Sequence, residues 1–154
     1  MSMIKLFQNF NDLKKLNIDD SKWFCWHEAL YLQQVNAYAI PSVENAVNIM
    51  KVCKVLDNIR EFYNTPITIT SWLRPNNYNK MIGGATFSHH RSGLAVDFMV
   101  MGLNSEKVRQ DLKKNPQLLL GASMEEGTVH VHIQLDGRAM TFNPPPKKAS
   151  IFND

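Results

Sequence analysis

Long apolar runs, a cysteine framework and a dominant charge are all missing from this 154-residue sequence. No stretch approaches the length needed to span a bilayer, so stable membrane association is not expected. The first eleven residues lack the basic, apolar and small-residue sequence of a secretory leader, which predicts a chain made soluble in the cytoplasm. Only two cysteines occur, Cys25 and Cys53, in no metal-ligand spacing, and both are expected as buried free thiols. The 17 basic and 14 acidic residues leave a formal charge of +3, too small and scattered to indicate nucleic acid as a partner. Internal repeats are absent as well.

At 44% apolar side chains, the length supports one hydrophobic core and not two, so a single domain over residues 1–154 is expected, with a core at about 22–143. The tail from Pro144 to Asp154 is rich in Pro, Lys and small residues and is read as loosely ordered. The aromatic cluster Trp23, Phe24 and Trp26 is read as packing on the body of the domain.

From Ser42, apolar residues recur at three- and four-residue steps: Val43, Ala46, Val47, Ile49, Met50, Cys53, Leu56, Ile59 and Phe62. With Ser42 as N-cap, this spacing predicts a long core helix ending near Tyr63. Ile67 to Ser71 alternates as a half-buried strand, and a loop is expected from Arg74 to about Arg91. Leu94 to Val100 reads as an interior strand, Asn104 or Ser105 to Lys114 as a short helix, and Gln117 to Ala122 as another strand before the acidic turn Glu125-Glu126-Gly127. In a last strand, Thr128 to Leu135, a period of two puts Val129, Val131, Ile133 and Leu135 on one face and His130, His132 and Gln134 on the other. The fold expected is α+β, a small antiparallel sheet against helices.

Asp97 stands inside an otherwise apolar strand, where an unpartnered charge would cost several kcal/mol, so it must be paired, protonated or metal-bound. An ion pair with a nearby arginine is one answer. His90, seven residues earlier, precedes Gly93 at a tight entry to the strand. Four of the five histidines fall into two tight clusters, His89-His90 and His130-Val131-His132. Histidine and aspartate are natural zinc ligands, and catalytic zinc usually takes three protein groups.

Ser88-His89-His90-Arg91-Ser92-Gly93-Leu94-Ala95-Val96-Asp97 fits S-x-H-x-x-G-x-A-x-D at every fixed position. That pattern resembles the signature of the D-alanyl-D-alanine carboxypeptidase and endolysin-type zinc peptidases of family M15. Upstream, Ile69 to Pro75, Asn79 and Gly83-Gly84-Ala85 resemble the family's strand-Ser-x-x-Arg segment and the Asn and Gly-Gly-Ala after it. Downstream, His130-Val131-His132 resembles the H-x-H of the wider superfamily of lysostaphin-type, D-Ala-D-Ala and hedgehog-like domains. The likeness covers about residues 22–135.

The resemblance implies one zinc ion held by His90, Asp97 and His132 on the open face of the sheet, with His130 beside it to stabilise a transition state or shuttle a proton. It implies that Arg74 meets a substrate carboxylate and that Ser88 hydrogen-bonds the substrate, and it leaves His89 structural or at the rim. The carboxylate that many relatives carry three residues before the final ligand is missing, since Gly127 and Val129 stand three before His130 and His132. Glu126 is the first candidate for general base and His130 the next. The implied substrate is a peptidoglycan peptide, cut by a monomeric enzyme either within the stem, like an L-alanyl-D-glutamate endopeptidase, or at a terminal D-alanine. It would reach the wall after release or export. A non-catalytic zinc-stabilised binding module and a phage tail-associated component are the alternatives.

Overall fold

The computed structural model describes Asp12 and residues 16–136. Residues 137–154 lie outside it, and with them the expected ordering of the tail and the core boundary at 143.

Helix α1 (Trp26–Leu30) leads into a hairpin of two-residue strands, β1 (Tyr31–Leu32) and β2 (Ala37–Tyr38). Helix α2 (Val43–Tyr63) is the long helix expected. Ser42 accepts from the Asn45 backbone N–H while Asn45 Oδ1 accepts from Ser42 N, so a reciprocal cap satisfies two otherwise orphaned donors. Asn64 ends the helix in the left-handed conformation at φ 49°. The face α2 buries is Ala46, Ile49, Val52, Cys53, Val55, Leu56 and Ile59. Val43, Val47 and Phe62, expected on that stripe, lie off it in solvent.

Strands β3 (Ile67–Ser71), β4 (Ala95–Val100), β5 (Ser123–Met124) and β6 (Val131–Gln134) form an antiparallel sheet in the order β3-β4-β6-β5. The fold is α+β. Val96, Phe98, Val100, Val131 and Ile133 join α2 and helix α4 (Ser105–Lys114) in one core with Phe24 and Trp26. Trp23 is only partly buried and lies under the Arg60 guanidinium, 5.2 Å from its centre. Both thiols are free, Cys53 buried and Cys25 half-exposed, so the expectation of two buried thiols holds for Cys53 alone.

Three expected elements differ. The loop after Arg74 contains a short helix, α3 (Asn76–Met81), started by Pro75. Gln117 to Ala122 is not a strand: Pro116 opens a 3₁₀ turn to Leu119, and Leu120 and Gly121 follow at φ 46° and 102°, which no strand accommodates. Leu119 and Ala122 still anchor this segment in the core. The last strand begins at Val131, because the carbonyls of Thr128, Val129 and His130 are taken by side chains of α4. Arg109 donates to Thr128 O and His130 O, and Ser105 to Val129 O. Val129 is left 77% exposed and not on the core face.

Candidate metal centre

The ladder register assembles the site. Ser71 pairs with Asp97, Asp97 with His132, and the Glu125 N–H donates to His132 O at 3.0 Å. Residues directly opposite in antiparallel strands share a face, so one polar row crosses four strands on the side of the sheet away from α2.

His90 reaches this row from a 3₁₀ turn, His89–Ser92. Ser88 caps the turn by accepting from His90 N at 3.1 Å, and Gly93 leaves it at φ 83°. A Cβ on Gly93 would stand 3.0 Å from Asn45 O, so the glycine is required for position as well as conformation. Asn45 and Asn48 of α2 both donate to Ser92 O, fastening the turn to the main helix. Periodicity of apolar residues could not flag these two polar contacts.

His90, Asp97 and His132 bring one ligand atom each to within 4.8 Å of one another, and all three are buried. The site thus lies on the sheet face away from α2, as expected from the sequence, with all three of its residues buried. Asp97 Oδ1 lies 2.7 Å from His132 Nδ1, and Oδ2 lies 3.3 Å from His90 Nε2. The outer ring nitrogens are held too: His90 Nδ1 at 2.7 Å from Trp72 O and His132 Nε2 at 2.9 Å from Gln134 Oε1. Each imidazole thus turns its other nitrogen toward the carboxylate, the arrangement by which metal-ligating histidines are oriented. Two imidazoles and a carboxylate converging in a buried space fit a zinc ion chemically.

Burial raises the Asp97 carboxyl, but the adjacent His90 and His132 outweigh it and hold Asp97 well below the usual carboxylate range. Burial pushes His90 down, favouring the neutral ring a metal requires. Burial also lowers His132, yet the hydrogen bond and charge of Asp97 carry it above an ordinary imidazole.

Arg74 is the arginine that pairs Asp97. It is 1% exposed, with Nη2 3.5 Å from Asp97 Oδ2, Nε donating to Ser71 Oγ at 2.9 Å and Nη1 to Asn79 Oδ1 at 3.2 Å. Its backbone N–H donates to His90 O. Asn79 in turn donates to Ala85 O, and a Cβ on Gly84 would stand 2.0 Å from Asn79 Oδ1. Ser71, Arg74, Asn79, Gly84 and Ala85 are one interlocked frame around the carboxylate.

The Peptidase M15 family model matches residues 27–133. The chain belongs to the M15 peptidase family. This M15 peptidase has no match among curated proteins. The match supports a peptidase, and among the described residues no helix is long and apolar enough to cross a membrane.

In this M15 peptidase a cleft of about 190 Å³ borders the centre, lined by Asp97, Arg74, His130, Thr70 and Ser71, with Tyr31 and Gln33 from the hairpin. His130 precedes β6 and its Nδ1 lies 3.1 Å from Thr70 Oγ1. Glu126 does not line this cleft; its carboxylate is bound to Lys113 of α4. Its neighbour Glu125, which sequence reasoning passed over, is 2% exposed and helps raise His132 by its charge. His89 contributes its carbonyl, which accepts from Leu94 N and Ser92 Oγ.

Proposed function

We propose that the chain is a zinc-dependent murein peptidase that hydrolyses an amide bond in the peptidoglycan stem peptide. The observation that carries this reading is the buried cluster of His90, Asp97 and His132 beside a polar cleft, in a chain of the M15 family. Bound there, zinc would supply Lewis-acid polarisation of a scissile carbonyl and a water acidic enough to ionise near neutral pH.

The chain's own residues do the rest. Arg74 and Gln134 fix Asp97 and His132 so that little reorganisation is needed when a substrate enters. Arg74 also lines the cleft, where it would meet a substrate carboxylate or carbonyl. His130, held by Thr70 at the same cleft, is the side chain placed to move a proton or stabilise an oxyanion. Glu126, bound to Lys113, then has the smaller part, and Ser88 acts by shaping the His90 turn.

Digestion of purified peptidoglycan by the zinc-loaded protein, read by mass spectrometry against chelated protein, tests the reading. New peptides cut at one bond are expected, and the bond separates an endolysin-type endopeptidase from a D,D-carboxypeptidase. Intact murein at full zinc occupancy would overturn the reading and assign the metal a stabilising role in a binding module.

A further inference from the structure

Among the described residues, strand β3 is an edge of the sheet, paired on one side only, with β4. Met101 N donates to Pro66 O, and Ile67, Thr68 and Ile69 stand opposite Val100, Met99 and Phe98. Antiparallel ladders alternate, so the backbone of Thr68 bonds to β4 while the N–H and C=O of Ile67 and Ile69 point outward. An outward edge is a template for another extended chain.

A second hollow, of about 290 Å³, lies along that edge, lined by Ile67 to Ser71 on one side and by His27, Glu28, Tyr31 and Gln33 on the other. It shares Tyr31, Gln33, Thr70 and Ser71 with the cleft at the metal centre, so the two form one continuous groove. The far wall is braced. Tyr31 stacks on His27 at 5.2 Å, His27 Nδ1 lies 2.5 Å from Tyr38 Oη, and Tyr31 Oη donates to Asn36 Oδ1. From Ile67 to Ser71, at about 3.3 Å per residue, the edge runs roughly 13 Å and ends opposite Asp97.

We infer that an extended segment of the peptide substrate adds to the free edge of β3 as a further strand, between it and the Tyr31 hairpin, and is thereby led to the metal centre. Rows of main-chain hydrogen bonds supply the affinity in this mode, whatever the side chains. The inference rests on the peptidase reading for the identity of its occupant. It adds that the enzyme engages about four residues on one side of the cleaved bond, which suits cutting within a chain.

The test uses the zinc-loaded protein and a panel of synthetic murein stem peptides, each with one amide reduced to CH2–NH so that the cleaved bond is blocked in one member. Amide hydrogen exchange is measured with and without peptide. On binding, the Ile67 and Ile69 N–H groups are expected to slow by about tenfold or more, while Thr68, already in the ladder, changes little. Binding that leaves Ile67 and Ile69 unchanged, or no binding of any peptide in the panel, overturns the inference. Neither result bears on whether murein is cut, which the digestion reads separately. As a second variant, Gln33→Trp fills the groove from an exposed position, and loss of the Ile67 and Ile69 protection at unchanged zinc content is expected. Retained protection would place the peptide elsewhere.

Discussion

The two faces of β4 and β6 are equally buried and held in opposite ways. On one, Val96, Phe98, Val131 and Ile133 interdigitate with α2 and α4, and burial itself is the stabilising term. On the other, Asp97, His132 and Gln134 are as dry, and burial is a cost offset by the bonds that both Asp97 oxygens, both His132 nitrogens and Gln134 Oε1 make. The first face tolerates any filling of similar volume, whereas the second depends on named partners. A buried polar row framed by Arg74, Asn79 and Trp72 is therefore expensive to keep unless it serves a function.

Neighbouring residues on opposite faces give the widest separation. Asp97→Asn leaves Arg74 an acceptor and is expected to keep a cooperative melting transition while reducing bound zinc below stoichiometric detection. Retained zinc would remove Asp97 from the ligand set. Phe98→Ala should do the reverse, lowering stability by about 3–5 kcal/mol in denaturant titration while the folded fraction still binds metal.

Arg74→Gln sharpens the comparison from the polar side. With the guanidinium gone, Asp97 loses its orientation, and zinc affinity by competition with a chelator should fall about 10–100-fold. Acidification acts on the same face. His132 holds its proton to higher pH than an ordinary imidazole, burial notwithstanding, because Asp97 favours the charged ring. Metal must displace that proton, so zinc affinity should rise with pH and fall as pH drops through the range where His132 protonates. A pH-independent affinity would mean that His132 is not a ligand. The smallest effect is expected for Glu126→Gln, which should leave zinc unchanged and turnover within about tenfold; a general base would cost about 10²–10⁴.

Much of both faces was legible in the residues. Helix α2 followed from its spacing and the Ser42 cap, and β3 and β4 from alternation and an apolar run; one carboxylate in that run and two histidine clusters pointed to a site, and the resemblance to M15 peptidases implied which three residues make the metal cluster. The strand expected at Gln117 was lost to Pro116 and to left-handed Leu120, a local geometry that an apolar run does not announce. Val129 was assigned to the core by alternation that the Arg109 and Ser105 side chains interrupt from another element. Glu125 and Glu126 are adjacent and chemically identical, and only the register of β5 on β6 sets one against His132 and leaves the other to Lys113. Long-range register is not written in local pattern, so the candidate ligands could be named before the residues that support them.

Crystals of the zinc-loaded protein, with anomalous scattering recorded on both sides of the zinc absorption edge, test the central claim most directly. One peak in contact with His90, Asp97 and His132 together is expected, beside the cleft that holds His130 and Arg74. A peak at another place in the molecule, or one touching His130 in place of His132, would contradict it.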